Sequence, residues 1–428
     1  MMENPLTPLH WTAGQKLAFR FIFCLFTLII VIYYPAFPFA DALMHYPEIW
    51  ITNIAVWFGK HVLHISYDIT LNDGDSGDTT IDFVILLIFF LVSAVGTILW
   101  TNMDKKRENY ATLYYWLTAA VRFYVALILI HYGLIKVIKA QFPYADLYEL
   151  TEKVGNFSPE RSAWIFFGQS YGYNLFMGIG ELAAIFLLFR RTMIFGAVLT
   201  LMVTLNVVVV NYCYDVPVKV HSSKLFIMTL FLLLTSFGQL WKFFFSGKAV
   251  ALPVIQAPEI HQKWLRTGKL LFKIIIIGYA LIYETIGSVD RAKQRGDLYP
   301  KSKLYGLYRV DTFRINNHIL PPLTTDTIRW KQLILDWEGM SAVRYMVEDS
   351  ARWFKTNLDT NSKTISFTLY KDTTKKYLFT YTRPGAGTLQ LTGVIQKDSV
   401  SIFMTPLKTK FKLNSRDFRW IIDYQSFN

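Results

Sequence analysis

The sequence predicts a polytopic α-helical membrane protein of about seven transmembrane helices, which include a four-helix bundle, followed by a C-terminal antiparallel β-barrel or sandwich domain. The helical part is predicted because 53% of the 428 residues are hydrophobic and only 18% are charged. Apolar windows near the roughly 20 residues of a spanning helix also recur along the chain. The β domain is predicted by strict apolar/polar alternation that starts at about residue 300. The predicted parts are 1–110, 111–242, 243–299 and 300–428.

Seven apolar windows predict the spans. Lys16 precedes the first window, Arg20 lies near its start and AFPFADA follows it, as in a secretory signal. We predict a retained span, because this window exceeds the roughly 7–15 apolar residues of a removed signal and ends in a Pro/Phe-rich stretch. The predicted spans are 17–34, 81–101, 112–138, 171–189, 192–213, 220–242 and 270–288.

Lysine and arginine in the short loops predict the orientation, because they accumulate on the cytoplasmic side of a membrane. The basic segments DKKRENY at 104–110, Arg190–Arg191 and 246–269 all follow even-numbered spans. The N-terminus is therefore predicted to be cytoplasmic and the C-terminal domain extracytoplasmic.

The net charge of +13 is concentrated near the C-terminus. Residues 289–428 hold 23 Lys and Arg against 13 Asp and Glu, which leaves +10 in this part. Such a surface either attracts anionic headgroups or an acidic partner, or is simply solvated. Nucleic acid is not an expected partner at this location.

Cysteine usage excludes a thiol-based redox site within the chain. The sequence contains only Cys24 and Cys213, both in or at the end of apolar windows. Neither a disulfide framework nor a Cys-x-x-Cys pair can be built from them. Redox chemistry would need a bound cofactor or a partner's thiols.

The predicted outer segment 35–80 contains two patterns that resemble metal sites. His61 and His64 have helical spacing and Asp68 follows four residues later, but no further ligand lies nearby. We favour an amphipathic helix at the outer leaflet. The acidic stretch NDGDSGD lacks the closing Glu of an EF-hand, so we predict a solvated turn and no metal site.

The stretch RFYVALILIHYGLIKVIK at 122–139, which overlaps the third window, carries charges inside an apolar run. Arg122, Gly133 and Lys136 fall on one helical face, and Gly133 would allow a neighbouring segment to approach closely. A charge at membrane depth costs about 3 kcal/mol or more, so it needs a partner. Glu181 lies near the middle of the next span, so we predict that it forms a buried structural ion pair with Arg122. Lys136 and Asn174 would line a space on the outer side of this pair.

Lys136 has no obvious acidic neighbour in the sequence. It either snorkels to the interface or acts as a catalytic base or an anchor for an anionic headgroup. The loop NYCYDVPVKVHSSK would lie at the same outer mouth, unless it is merely solvated. The predicted ligand-binding residues of this mouth are Asn174, Asp215, Lys219, His221, Lys224 and Glu284.

Alternating segments predict about eight to ten short antiparallel strands after residue 300. In TISFTLY, Ile365, Phe367 and Leu369 point to one side of the strand. The segment 306–322, GLYRVDTFRINNHILPP, loosely resembles the opening strand of a lipocalin-like barrel. A barrel of this size either holds one apolar ligand or is filled by its own side chains.

Taken together, the bundle motifs resemble the DoxX family of small four-helix membrane proteins over residues 111–242. They are Arg122 followed by Gly133-x-x-Lys136, Glu181 in GELAAIFLLF, and Arg190-Arg191-Thr192. This resemblance implies that the protein is associated with membrane oxidoreductase complexes and with quinone-linked redox handling. The unit is also similar to the membrane part of vitamin K-dependent carboxylase-like proteins, which implies that Lys136 is a base. Here the helix reads Gly-Leu-Ile-Lys instead of a paired Lys-Lys.

Three functions therefore stay open for a protein of the bacterial inner membrane with a periplasmic β domain. The first is the membrane component of a redox or stress-related envelope complex, with a quinone- or lipid-binding outer mouth. The second is an enzyme that modifies a peptide or lipid with Lys136 as base. The third is a scaffold whose residues 300–428 bind an envelope or redox partner. Membrane lipids are expected partners in each case, and the cofactor is not identified.

Overall fold

The computed structural model describes residues 11–32, 40–70, 77–247, 249–255, 261–348, 351–370, 372–395, 397–415 and 420–421. The chain forms two compact units. The helical unit comprises 1–138 and 172–289, and the β unit comprises 139–171 and 290–428. The helices are α1 (Ala13–Ile32), α2 (Ala40–His61), α3 (Thr80–Met103), α4 (Ala111–Val137), α5 (Leu147–Thr151), α6 (Pro159–Gly168), α7 (Tyr171–Leu182), α8 (Met193–Cys213), α9 (Lys219–Leu234), α10 (Phe237–Phe245), α11 (Lys263–Arg295) and α12 (Lys412–Ser415).

Six helices of the described chain are long and apolar enough to cross a membrane, which makes this a multi-pass membrane protein. One of them is α7 together with the 3₁₀ helix Ala183–Leu188 that continues it. The predicted span 220–242 is not straight, because α9 and α10 meet at an angle of 79°. The number of spans is seven if this bent pair counts as one.

A buried arginine joins α1 to α3 and to the start of α4. Arg20 is 4% exposed, although it lies in an apolar helix. Its guanidinium donates to the Tyr110 hydroxyl at 2.9 Å, the Thr101 hydroxyl at 2.8 Å and the Asp104 carbonyl at 2.9 Å. These bonds satisfy the donors of the buried guanidinium, which would be costly to leave without partners.

The β unit contains a closed antiparallel barrel of eight strands, which confirms the barrel alternative. Strands β1 and β3 to β9 pair in order, and β9 pairs back onto β1. The long strand β1 pairs with both β3 and β9. Arg309 pairs with Gln332 in β3, and Ile315 pairs with Val400 in β9. The strands are β1 (Lys301–Ile315), β2 (His318–Ile319), β3 (Trp330–Trp337), β4 (Met340–Tyr345), β5 (Ala351–Asp359), β6 (Thr364–Leu369), β7 (Lys376–Thr382), β8 (Leu389–Ile395) and β9 (Asp398–Pro406).

Aromatic side chains fill the barrel interior. Ile365 and Phe367 of β6 point inward, as their alternation predicted, and both are at most 1% exposed. Phe367 packs edge-on against Phe379 and Trp330, with ring centroids 5.8 Å and 5.7 Å apart. Such edge-to-face contacts add to the stabilisation that comes from burial. Of the two barrel interiors considered, the geometry favours the one filled by its own side chains.

Residues 139–171 belong to the β unit, although the sequence division placed them with the four-helix bundle. Leu147 packs into a small apolar cluster with Leu307, Ile334 and Ala342 on the barrel. Its backbone N–H donates to Asp336 Oδ2 at 2.6 Å, which is a bond between residues 189 positions apart. The sequence division rested on the lengths of the connections between helices. Length alone does not show that a loop carries apolar residues that pack against residues far away in the sequence, so the division missed this contact.

Candidate functional site

Helices α4 and α7 approach each other at two glycines. A Cβ atom on Gly133 would lie 2.9 Å from the carbonyl oxygen of Gly178 and 2.8 Å from Leu182 Cγ. A Cβ atom on Gly178 would lie 2.7 Å from the carbonyl oxygen of Gly133. No side chain larger than hydrogen fits these distances without movement of the backbone, so the two helices meet closely at Gly133 and Gly178.

Next to this glycine contact, Lys136 forms a buried ion pair with Glu181. The Lys136 amine donates to both carboxylate oxygens, at 2.9 Å and 2.8 Å. Lys136 is 7% exposed and Glu181 is 3% exposed. The predicted pair of Arg122 with Glu181 is therefore wrong, as is the expectation that Lys136 lacks an acidic neighbour. The Gly133–Gly178 contact sets the register of the helices, whereas the prediction matched depths by counting from helix midpoints.

Arg122 is buried and bonds to backbone instead. Its Nε donates to the carbonyl oxygen of Leu187 at 2.6 Å, at the end of the 3₁₀ helix that continues α7. Carbonyls at a helix end lack intrahelical partners and carry partial negative charge. Arg122 thus holds the end of this helix against α4.

A second acid–base pair links α4 to α11. His131 Nδ1 hydrogen-bonds to the carboxylate of Glu284, which is 6% exposed. His131 was not among the candidate residues that the sequence singled out. An ionisable residue within a span is a functional candidate by default, and this signal could have identified His131 together with Glu284.

Tyr132 connects the two pairs. Its ring centroid lies 5.4 Å from the Lys136 Nζ, and its ring lies 5.3 Å from the His131 ring and 6.0 Å from the His221 ring. His221, at the start of α9, is half-buried, and its Nε2 has no hydrogen-bond partner among the described residues. We refer to the following residues as the polar cluster: His131, Tyr132, Lys136, Glu181, His221 and Glu284.

The other predicted ligand-binding residues differ in position. Asn174 is fully buried in α7 and Lys224 is 9% exposed in α9, so both belong to the bundle interior. The Asp215 side chain is 81% exposed and accepts from Lys219 Nζ at 2.7 Å, in a local surface pair four residues apart. The structure therefore supports Asn174 and Lys224 as interior residues, whereas Asp215 and Lys219 form a solvated pair.

Asp78, the last residue of the acidic stretch NDGDSGD, caps α9. Its carboxylate accepts from the backbone N–H groups of Lys219 at 2.6 Å and Val220 at 2.8 Å. A carboxylate at this position satisfies free N–H groups and complements the helix dipole. Asp78 is thus a structural cap of the helix that carries His221. Residues 72–76 of this stretch lie outside the described residues.

No group of three or more His, Cys, Asp or Glu side chains in the described part of the chain could hold a metal ion. His61 and His64 are both exposed, and His61 Nδ1 lies 2.9 Å from the carbonyl oxygen of Trp57. The helical spacing of His61 and His64 suggested a metal site, but these two exposed side chains do not form one with the other described residues.

Comparison with known proteins identifies a relative in Bacillus subtilis (strain 168). The chain is 40% identical over 118 residues to a protein named "Uncharacterized protein YwoB". This match covers 27% of the chain and 73% of the relative. No protein-family model and no solved structure matches the chain.

Proposed function

The chain belongs to the family of the uncharacterized protein YwoB, and on this premise we propose that it is a DoxX-like protein of the bacterial inner membrane that binds a quinone head group at the polar cluster. The observation that carries this proposal is the pairing of Lys136 with Glu181 and of His131 with Glu284 around Tyr132, inside a helical bundle. Buried acid–base pairs are costly within a membrane and are typical of ligand sites and proton relays.

The chemistry of the cluster suits a quinone. A quinone ring carries two carbonyl oxygens that accept hydrogen bonds, and the Lys136 amine and the imidazoles of His131 and His221 are possible donors. Tyr132 offers an aromatic face next to these donors. Ligand sites of this kind combine apolar walls with a few convergent polar groups.

In this proposal the protein is the membrane component of a redox or stress-related envelope complex. The two cysteines are both unpaired, so electrons would come from a partner and not from a disulfide of this chain. The basic residues of the 289–428 region support docking of an acidic partner on the periplasmic side.

A catalytic role of Lys136 as base is the second candidate, and the geometry favours it less. The amine donates to both oxygens of Glu181. A general base must instead accept a proton from a substrate within hydrogen-bond reach. Lys136 is thus better suited to donating hydrogen bonds in the site.

Quinone extraction tests the proposal. The protein is purified in mild detergent, and copurified quinone and lipid are measured by native mass spectrometry for wild type, Lys136→Met and His131→Phe. Decylubiquinone is then added back, and binding is followed by the change in melting temperature. Lys242→Met, which alters an exposed lysine of α10, is the matched control.

We expect wild type and the control to retain or rebind quinone, and both cluster variants to lose it while they keep the wild-type helical content. Absence of quinone and of any add-back response in wild type would contradict the proposal. Copurification of a phospholipid alone, lost in both cluster variants, would replace the quinone with a lipid as the ligand.

A further inference from the structure

A second group of charges lies in the helical unit, separate from the polar cluster. It combines residues of α4, of the turn after the 3₁₀ helix Ala183–Leu188, and of α11. In the predicted orientation this group lies toward the cytoplasmic side, since it includes one arginine of the basic turn Arg190–Arg191. We refer to the following four residues as the basic cluster: Arg122, Arg190, Lys269 and Lys273.

Two of these cations converge on adjacent backbone carbonyls. Arg122 Nε lies 2.6 Å from the carbonyl oxygen of Leu187, and Lys273 Nζ lies 2.5 Å from that of Leu188. Both carbonyls end the same short helix. The two cations are thereby brought to one place, although they are 151 positions apart in the sequence.

The other two cations complete the group. Lys269, one turn before Lys273 in α11, donates to the Tyr115 hydroxyl at 3.1 Å. Arg190 is exposed, and its charge repels both Arg122 and Lys273. Lys273 is likewise repelled by Arg122 and Lys269, so it feels the positive charge of the other three members of the group.

These charges are not balanced by carboxylates. None of the four cations forms an ion pair with Asp or Glu among the residues that the structure describes. The free carbonyls at a helix end carry only about half an elementary negative charge in total. Four positive charges held together with so little compensation indicate that an anion is needed.

The exposure of the basic cluster and its aromatic neighbours are those expected at the depth of the lipid head groups. Arg122 is 3% exposed, whereas Lys269 and Arg190 are exposed and Lys273 is half-buried. Lys273 Nζ lies 4.3 Å from the centre of the Phe189 ring, and Lys269 Nζ lies 5.6 Å from that of Trp116. Aromatic rings next to lysine and arginine are typical of the membrane–water interface.

We propose that the basic cluster binds the phosphate of an anionic phospholipid in the cytoplasmic leaflet. Guanidinium groups bind phosphate oxygens through paired hydrogen bonds, and lysines add point charges. The buried Arg122 would form the floor of the site, and Lys273, Lys269 and Arg190 its rim. This site is independent of the quinone proposal, because it uses none of the residues of the polar cluster.

Titration of defined lipids onto the detergent-purified full chain tests this site. Phosphatidylglycerol, phosphatidylcholine and inorganic phosphate are added in separate arms, and bound adducts are counted by native mass spectrometry. The test variant is Arg190→Gln/Lys273→Gln, which leaves the buried Arg122 in place. The control is Lys263→Gln, which removes an exposed charge from the first turn of the same helix.

We expect wild type and Lys263→Gln to bind phosphatidylglycerol in preference to phosphatidylcholine, and the double variant to bind it on the order of tenfold more weakly. Equal binding of phosphatidylglycerol by the double variant and wild type would overturn the site. Equal binding of the two lipids by wild type would overturn the requirement for an anionic lipid. Tight binding of inorganic phosphate without phosphatidylglycerol would overturn the lipid as its source.

The same variants separate this inference from the quinone proposal. Arg190→Gln/Lys273→Gln should keep its quinone response, and Lys136→Met should keep its phosphatidylglycerol binding. Loss of lipid binding in Lys136→Met as well would overturn the assignment to the basic cluster.

Discussion

Gly178 lies so close to Gly133 that a Cβ atom on Gly178 would stand 2.7 Å from the carbonyl oxygen of its partner. This contact holds α4 against α7, and the ion pair of Lys136 with Glu181 lies beside it, each charge three residues after the glycine of its own helix. Small residues that let backbones meet are a common basis of helix packing in membranes. The polar cluster therefore depends on two residues that have no side chain.

Gly178→Ala should destabilise the helical unit by about 1–3 kcal/mol, because the new methyl group meets backbone that cannot rotate away. Gly180→Ala is the matched control, since its Cβ would lie 3.7 Å from Val203 Cγ2, an ordinary contact. Melting temperatures in detergent measure both changes. A Gly178→Ala protein that melts with the control would contradict the close contact.

The Lys136–Glu181 pair predicts strong coupling in a double-mutant cycle. Lys136→Met or Glu181→Leu alone should cost about 3–5 kcal/mol, because each leaves a buried charge without its partner. The double variant should recover most of this loss. Denaturation of the four proteins gives the coupling energy.

Two further cycles serve as controls for this pair. Lys219→Met with Asp215→Leu tests a solvated pair, for which we expect a coupling energy below about 1 kcal/mol. Arg122→Met with Glu181→Leu tests the pairing that the sequence suggested, and these two changes should be additive. Strong coupling of Arg122 to Glu181 would contradict the observed arrangement.

Asp146 predicts a pH dependence of the β unit. Burial raises the pKa of Asp146 to about 6, and the neighbouring Asp336 carboxylate adds to this shift, against the attraction of Arg161. The folded pKa thus exceeds the usual unfolded value of about 3.9. The stability that this carboxyl contributes is fully present below about pH 4 and is lost as the pH rises through about 6.

Asp146→Asn should therefore stabilise the β unit at pH 7.5 by about 1–2 kcal/mol, since it removes the charge and keeps an oxygen. Asn also caps helices well, so the bond that Asp146 accepts from the Glu149 N–H at 2.8 Å would persist. Melting temperatures between pH 4 and 8 measure the effect, with the exposed Asp290→Asn as control. A variant with the wild-type pH profile would refute the role of Asp146.

The barrel should need residues 139–171 for full stability. Leu147 covers Leu307, Ile334 and Ala342, and Glu152 pairs with the buried Arg344 at 3.1 Å. A fragment of residues 296–415 should melt lower than the same fragment joined to 139–171 by a flexible linker. The Leu147 side chain alone should account for about 1.5–3 kcal/mol of the difference.

Leu147→Glu in the linked fragment is the control for this contact, because it keeps the chain length and disturbs the apolar cluster. Its melting temperature should fall toward that of the barrel fragment alone. Equal melting temperatures of the linked and unlinked fragments would show that the barrel does not depend on the segment.

The sequence predicts those features that depend on neighbouring residues. Alternation identified the inward side chains Ile365 and Phe367, and the apolar windows identified the helices, because both patterns repeat within one element. Gly133 was recognised because glycine has no side chain and therefore allows a neighbouring segment to approach closely. Each of these signals is local.

The pairing between elements could not be predicted in the same way. Lys136 and Glu181 meet because two glycines set the register of two helices, and no pattern within either helix encodes that distance. Asp78 caps α9 from 141 positions away. The bend of 79° between α9 and α10 likewise leaves no mark in mean hydropathy, because both helices are apolar.

The division of the β unit into 139–171 and 290–428 has a consequence for the time course of synthesis. Segment 139–171 leaves the ribosome first, and its partners Leu307, Ile334 and Arg344 follow only after residues 172–289 have been made. At roughly 5–20 residues per second this delay is on the order of ten seconds. Leu147 must wait through this interval without its partners, so the β unit is completed after the helices that interrupt it.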